Sequence, residues 1–166
     1  MFRLPLLARP AASTFAAAAL LALPAALGAQ PGAARDGTPR GRAADSAAVH
    51  AAVDDYVGAL YEVAPDRVRR SVSPALAKYG YAADSAGRYR GMAMTFDQLV
   101  ALAGRYNRDG RVPAAAPRAI TVYDVQDQTA SAKLTAHWGT DYLLLAKEDG
   151  AWKVTHVLWQ SPPRPR

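Results

Sequence analysis

The chain has 166 residues, no cysteine and a formal net charge of +6 at pH 7. A chain of this length favours a single folded domain, and the lack of cysteine excludes disulfides and thiolate metal sites. Nucleic-acid binding needs basic side chains gathered on one face, whereas the basic residues here are scattered and several lie near the two ends. We therefore expect a solvated basic surface and no nucleic-acid partner.

The first residues have the pattern of a secretory signal peptide. Arg3 and Arg9 precede an apolar run rich in Ala and Leu at residues 11–27, and small residues follow it. The alternative is a membrane anchor, but a spanning helix needs ~20 apolar residues and a proline interrupts this run. The pattern favours a cleaved leader at residues 1–29, cut after the last or next-to-last of them. It predicts an exported protein, periplasmic or secreted, with no stable membrane anchor after cleavage.

The rest of the chain divides into one folded unit and two flexible segments. Residues 30–44 contain Gly, Ala, Pro and Arg without apolar periodicity, which indicates a disordered linker. Residues 161–166 contain three prolines, which cannot join the interior of a sheet, and are expected to be a disordered tail. The folded domain is therefore expected at residues 45–160.

Apolar spacing of three and four residues predicts helices in the first half of this domain. The first helix is expected to begin at Asp45 or Ser46, either of which can act as a cap. Its apolar stripe consists of Val49, Val53, Tyr56, Val57 and Leu60. A second, short helix is expected to begin at Pro65 and to end at Ser73–Pro74.

A third helix carries a clear N-terminal signature after residues 78–90, which are expected to form short strands and a loop. Thr95 and Gln98 have the spacing of a capping box, and Met94 and Leu99 have that of a hydrophobic staple. The buried stripe of this helix is expected to contain Phe96, Leu99, Val100, Leu102, Ala103 and Tyr106.

From Arg118 onward the apolar period changes to two, which predicts strands. The first of these strands is expected to be irregular at Tyr123–Asp124, and a turn follows it. Apolar and polar side chains alternate along residues 130–138, which predicts a strand with one buried and one solvent-exposed face. Asp141–Lys147 is expected to form the next strand. A tight hairpin at Asp149–Gly150 leads into Trp152–Trp159, which has apolar residues on both faces and is expected to be a central strand.

This order of elements resembles the cone-shaped nuclear transport factor 2-like fold, in its putative lumazine-binding subfamily. The resemblance implies an α+β domain in which N-terminal helices pack on a curved antiparallel sheet. One residue departs from the subfamily pattern, because Ser73 occupies a position where such proteins typically have His. The segments that carry the resemblance are Ser73–Lys78, Met94–Thr95, Ile120–Val125, Thr129–Lys133, Asp141–Val154 and Val157–Trp159.

The resemblance implies an apolar cavity at the wide end of the cone, the usual place for a ligand. Asp141 is the best candidate for a general base, because a carboxylate among aromatic neighbours has a raised pKa. The competing interpretation is an Asp at the end of a strand that accepts hydrogen bonds from backbone amides. His156 and His137 are the candidate catalytic partners of Asp141. The position of each in its predicted strand also fits a histidine at the rim of the cavity or on the surface.

Aromatic and methionine side chains could line such a cavity and stack on a flat ligand, although core packing explains most of them equally well. No metal-ligand spacing, glycine-rich phosphate loop or nucleophile elbow is present, so neither a metal nor another cofactor is expected. The candidate pocket residues are Tyr56, Tyr79, Met94, Phe96, Trp138, Tyr142 and Trp159, with Tyr81 and Met92 as further members.

Three functions remain open at this point. The leading hypothesis is a non-catalytic, exported domain that binds a small hydrophobic or heterocyclic molecule. The second is an isomerase- or dehydratase-type enzyme that uses Asp141 with a nearby histidine. The third is an interaction module that forms a homodimer through the open face of its sheet.

Overall fold

The computed structural model describes residues 39–163, and within them three helices lie on one side of a six-stranded sheet. Residues 118–160 form strands, as the period-two pattern predicts. The predictions for residues 1–38 and 164–166 lie outside the described residues. The elements are α1 Pro39–Tyr61, α2 Pro65–Ser71, β1 Val72–Ala83, β2 Tyr89–Met94, α3 Phe96–Ala103, β3 Arg118–Val125, β4 Thr129–Ala136, β5 Gly139–Glu148 and β6 Ala151–Gln160.

The strand order in the sheet is β2-β1-β6-β5-β4-β3. Four of the neighbouring pairs are antiparallel and the β1–β6 pair is parallel, so the expected wholly antiparallel sheet is wrong in this one respect. The chain leaves the β1–β2 hairpin through α3 and starts again at the far edge of the sheet. Three reversals from β3 to β6 then bring β6 back beside β1 in the same direction.

The core lies between α1 and the inner face of the sheet. All the predicted stripe residues of α1 are buried. They pack in one cluster with Leu134, Leu143, Leu145, Val154 and Val157 of the central strands. Burial of a side chain of this size stabilises a fold by about 1.5–3 kcal/mol, so this stripe holds the helix on the sheet.

Helix α1 is longer than the sequence predicts, because residues 39–44 are helical rather than part of a linker. Asp45 is therefore inside the helix and is not its cap. Its carboxylate instead accepts a hydrogen bond from Trp152 Nε1 at 2.9 Å and pairs with Lys147 Nζ at 2.6 Å. These contacts join α1 to the β5–β6 hairpin.

Strand β1 is longer and more regular than predicted. Helix α2 ends at Ser71, and the Ser73–Pro74 step lies inside β1 at a register shift against β6, between Val72 and Ala77. The strand then runs without interruption through residues expected to be irregular. Ser161, expected in the disordered tail, donates its backbone N–H to the carbonyl oxygen of Tyr81 at 3.0 Å.

The predicted helix cap, hairpin turn and strand irregularity, which depend only on residues close together in the sequence, are all confirmed. The capping box of α3 is present, with Thr95 Oγ1 accepting from the Gln98 amide and the Gln98 side chain accepting from the Thr95 amide. Leu99 is fully buried. The hairpin turn at Asp149 and Gly150 has φ values of 50° and 80°, which the Asp-Gly sequence tolerates. The predicted irregularity at Tyr123 is a register shift between β3 and β4.

A second irregularity, which the sequence did not predict, lies in β6. Leu145 pairs with Val154 and Leu144 with His156, so Thr155 is an extra residue in the ladder. Such a bulge reverses which side chains face the core beyond it. His156 and Leu158 consequently face outward and Val157 faces inward, whereas unbroken alternation along the strand would place His156 and Leu158 on the same face as Trp152. No helix within residues 39–163 combines the length and apolar character that crossing a membrane requires.

Candidate functional site

A cavity of about 260 Å³ lies between the helices and the inner face of the sheet. Its wall is almost entirely apolar or aromatic. Met92 is 43% exposed and lines the cavity, so the opening lies beside β2. The lining residues are Tyr56, Leu60, Lys78, Met92, Met94, Leu99, Leu102, Tyr106, Trp138 and Trp159. Pockets for drug-sized ligands usually measure ~300–1,000 Å³, so this one suits a smaller molecule.

Each wall of the cavity follows from a local pattern. Tyr56 and Leu60 are four residues apart on α1 and therefore share a face. In β1, Lys78 points inward together with Leu76 and Gly80, because alternate residues of a strand face the same side. Trp159 is opposite Gly80 in the parallel β1–β6 pair, and its indole occupies the space that a side chain at position 80 would fill.

Beside the cavity lies a buried polar group of four side chains, which we call the Lys78–Asp141 cluster: Tyr56, Lys78, Trp138 and Asp141. Tyr56 Oη donates a hydrogen bond to Asp141 Oδ2 at 2.7 Å, and Trp138 Nε1 donates to Oδ1 at 2.7 Å. Lys78 Nζ donates to Tyr56 Oη at 2.8 Å and lies 3.6 Å from Asp141 Oδ2. Asp141 is fully buried and the Lys78 side chain is 5% exposed. Both charges are thus neutralised by each other inside the protein.

The low polarity around the cluster shifts the proton affinities of its members. Burial, followed by the negative charge of Asp141 and the hydrogen bond to it, raises the pKa of Tyr56 well above its usual value. Burial lowers the pKa of Lys78, and the carboxylate of Asp141 opposes this decrease. Burial also raises the pKa of Tyr106, at the cavity wall, to about 12. Both tyrosines are therefore neutral hydrogen-bond donors at physiological pH.

Aromatic packing holds Trp138 in place. The rings of Tyr56, Tyr61 and Tyr106 meet its indole edge-to-face, with centroid distances of 6.3, 5.8 and 5.6 Å. Each such pair adds about 0.5–1.5 kcal/mol beyond burial. Trp159 differs, because its Nε1 is buried and has no hydrogen-bond partner within the described part of the chain.

The structure brings one group of the predicted pocket residues together at the cavity and places the others elsewhere. Tyr56, Met92, Met94, Trp138 and Trp159 line the cavity. The three tyrosines that the sequence also nominated project from the opposite, outer face of the sheet: Tyr79, Tyr81 and Tyr142, which are 44%, 43% and 54% exposed. Phe96 is half-buried and packs against the core, outside the cavity wall.

The predicted pairing of Asp141 with a histidine is wrong. His137 and His156 are both exposed, and both oxygens of Asp141 are engaged by Tyr56 and Trp138. The bulge at Thr155 turns His156 outward, and His137 lies in the turn after β4. The alternative of an Asp bound to backbone amides is not observed either, because the hydrogen-bond partners recorded for Asp141 are side chains.

Lys78 was missed by the sequence argument. The sequence feature that could have identified it is the alternate spacing of Leu76, Lys78 and Gly80, which places the lysine on the buried face of a strand. The expectation of irregular structure at residues 78–90 concealed that pattern. Within residues 39–163, no three His, Asp or Glu side chains are grouped to hold a metal ion. Ser73, which replaces the His that the resemblance implies at this position, is buried and accepts a hydrogen bond from the Ala75 amide.

The outer face of the sheet carries a second concavity, which we call the outer groove. It has a volume of about 800 Å³. Five large apolar or aromatic side chains along it are exposed: Tyr79, Tyr123, Tyr142, Leu144 and Leu158. Contiguous exposed apolar surface of this kind commonly marks an interaction site.

Helices on one side of a curved, unclosed mixed sheet, with a cavity between them, define a nuclear transport factor 2-like domain. The profile of the family described as "Putative lumazine-binding" matches residues 44–160, and the chain belongs to that family. No curated protein matches the chain.

Solved structures support the fold. An NTF-2-like protein of unknown function from Silicibacter pomeroyi superposes with a TM-score of 0.54 at 16% identity, over 72% of this chain and 98% of that one. An NTF2-like protein of unknown function from Methylobacillus flagellatus gives a TM-score of 0.57 at 16% identity, over 72% and 93%. A putative scytalone dehydratase from Novosphingobium aromaticivorans gives 0.50 at 13% identity, over 72% and 85%. At these identities the similarity demonstrates a shared fold.

Proposed function

We propose that this protein is an exported domain that binds a small, flat and largely apolar molecule in its cavity and releases it unchanged. The observation that carries the proposal is a cavity of about 260 Å³ with an apolar and aromatic wall and a buried polar cluster on one side. Apolar walls supply affinity and a few polar groups supply orientation in such sites. The volume equals roughly nine water molecules, which fits a molecule of one or two rings.

The state of Asp141 favours binding over isomerase or dehydratase chemistry. A general base must reach the proton that it removes, whereas Asp141 already accepts two hydrogen bonds and does not line the cavity. The nearest amine and hydroxyl belong to Lys78 and Tyr56. The putative scytalone dehydratase from Novosphingobium aromaticivorans shares the fold at 13% identity, and a shared fold does not imply a shared activity.

Ligand binding can be tested by tryptophan fluorescence and thermal denaturation, because Trp138 and Trp159 belong to the cavity wall. Indole, benzyl alcohol and lumazine are suitable probes. A molecule that binds only the folded state at roughly 100 times its Kd raises the stability by about 2.7 kcal/mol. Absence of any change with all three probes would contradict the proposal.

A variant pair can locate the binding site in the cavity. In Gly80→Ala the new methyl would overlap the indole of Trp159 and push it into the cavity, so we expect weaker binding. In Gly104→Ala the methyl lies 3.6 Å from its nearest neighbour, the carbonyl oxygen of Ala101, so binding should be unchanged. Equal affinities in the two variants would place the ligand elsewhere.

Export is part of the proposal and is supported by the basic, apolar and small-residue pattern of residues 1–29. Cell fractionation should recover the protein outside the cytoplasm. Deletion of residues 2–29 should retain it inside. Retention of the intact chain in the cytoplasm would contradict this part of the proposal.

We also propose a homodimer formed through the outer groove. Its exposed tyrosines and leucines would be covered by the same face of a second copy, since two-fold contacts use one patch twice. Leu158→Glu should convert the dimer to a monomer in light scattering, whereas Ala114→Glu, in an exposed loop far along the chain from the groove residues, should not. A monomeric unmodified protein would contradict dimerisation.

A further inference from the structure

The cavity contains one amine, and its surroundings differ from those of the other lysines. The chain has four lysines. Lys147 pairs with Asp45, Lys153 donates to the Arg70 carbonyl oxygen and Lys133 lies on the polar side of β4. Lys78 alone lines the cavity, where its ammonium also lies 5.5 Å from the centroid of the Trp159 ring.

The hydrogen bonds of this lysine form a relay. Lys78 Nζ donates to Tyr56 Oη, and Tyr56 Oη donates to Asp141 Oδ2. If each donor passes its proton to its acceptor, Lys78 becomes a neutral amine, Asp141 becomes a neutral carboxylic acid and Tyr56 is unchanged. A neutral, desolvated amine is a nucleophile toward carbonyl carbon. The lowered pKa of Lys78 is in agreement with this geometry.

We propose that Lys78 captures a small aldehyde or ketone in the cavity as a reversible imine. The nitrogen of Lys78 forms a bond to the carbonyl carbon, and the carbonyl oxygen takes up protons and leaves as water. The sum is one ammonium plus one carbonyl giving one iminium plus one water, so atoms and charge balance. The product remains cationic, and Asp141 keeps its counter-charge. This inference rests on the proposed function, because it uses the same cavity and a ligand of the same size.

The cavity also limits the kind of carbonyl compound. Lys78 and Asp141 already neutralise each other, so a charged ligand would bring an unpaired charge into an apolar site, which is strongly unfavourable. Met94, Leu99 and Leu102 provide an apolar surface for a ring or a branched chain. The ligand class is therefore a neutral, compact aldehyde or ketone with an apolar body.

Reductive trapping tests the inference on the whole chain. The protein is incubated with benzaldehyde and sodium cyanoborohydride, and benzylated lysines are quantified by peptide mass spectrometry over time. We expect Lys78 to be labelled faster than the other lysines, because burial lowers the pKa of its amine and a larger fraction of that amine is then neutral and nucleophilic. In urea-unfolded protein the four lysines should react at similar rates. Lys78→Arg keeps a cation beside Asp141 and should lose the fast labelling.

Benzyl alcohol separates this inference from the proposed function, since it has the same ring and no carbonyl group. Its binding is followed by tryptophan fluorescence, and its presence should slow the labelling of Lys78. Binding of benzyl alcohol without preferential labelling of Lys78 would overturn the imine and leave the binding function intact. If benzyl alcohol does not bind and Lys78 is not labelled preferentially, the binding function and the imine are both overturned. Labelling of Lys78 that benzyl alcohol does not slow would place the reaction outside the cavity and overturn the inference.

Discussion

Removing the negative charge of the Lys78–Asp141 cluster should strongly destabilise the protein. Asp141→Asn leaves the ammonium of Lys78 buried without its counter-charge and weakens the hydrogen bonds from Tyr56 and Trp138. At the observed 3.6 Å between Lys78 Nζ and Asp141 Oδ2, the attraction amounts to about 4–5 kcal/mol at an effective dielectric constant of ~20. Loss of one partner of a buried pair typically destabilises by about 3–5 kcal/mol, and we expect a value in that range.

The expected change is a large part of the total stability, which for a domain is about 5–15 kcal/mol. In urea titrations followed by tryptophan fluorescence, the midpoint of Asp141→Asn should fall by about 2 M for a slope typical of small domains. Asp127→Asn replaces an exposed carboxylate in the β3–β4 turn. That control should stay within about 0.5 kcal/mol of the parent.

A double-mutant cycle shows whether the charge pair is the cause. Lys78→Met removes the ammonium while keeping a long apolar chain against the cavity wall. Combined with Asp141→Asn it leaves neither charge buried, so the double variant should lose less than the sum of the two single losses. We expect a coupling energy of at least about 1 kcal/mol. Additive losses, or an Asp141→Asn variant as stable as the parent, would refute the argument.

Two further predictions concern the contacts that position the helices. The pKa of Asp45 is lowered by its hydrogen bonds with Lys147 and then Trp152, so its contribution to stability is present above the ordinary carboxyl pKa and is lost as the pH falls through the folded-state pKa. Asp45→Asn should therefore be about 1 kcal/mol less stable than the parent at neutral pH. This difference should shrink as the pH is lowered past the ordinary carboxyl pKa and through the lower folded-state pKa; a difference that stays constant during acidification would disprove the ionic origin. Thr95→Ala removes the hydroxyl that caps the Gln98 amide and should lower the free energy of unfolding by about 1 kcal/mol. Thr95→Ser keeps the cap and should restore most of that loss in the same urea titration.

The amino-acid sequence by itself determined the elements that depend on nearby residues. The stripe of α1, the capping box at Thr95 and the Asp149–Gly150 turn all follow from spacings of a few residues. Their physical basis is local, because helix faces, end caps and positive φ angles are set within one or two turns of chain. The nuclear transport factor 2-like fold and its putative lumazine-binding family were indicated by a resemblance, carried most specifically by the Asp141–Val154 segment, and the family match confirms it.

The composition of the site was decided only by the tertiary structure. Tyr56 and Asp141 are 85 residues apart in the chain and meet through a hydrogen bond of 2.7 Å, and no local pattern encodes that pairing. The extra residue at Thr155 reverses the outward and inward positions of β6, which turns His156 away from the cavity and Trp159 toward it. Register against β1 and β5 places that bulge. A strand pattern of period two cannot specify it, since a shift of one residue exchanges the two faces.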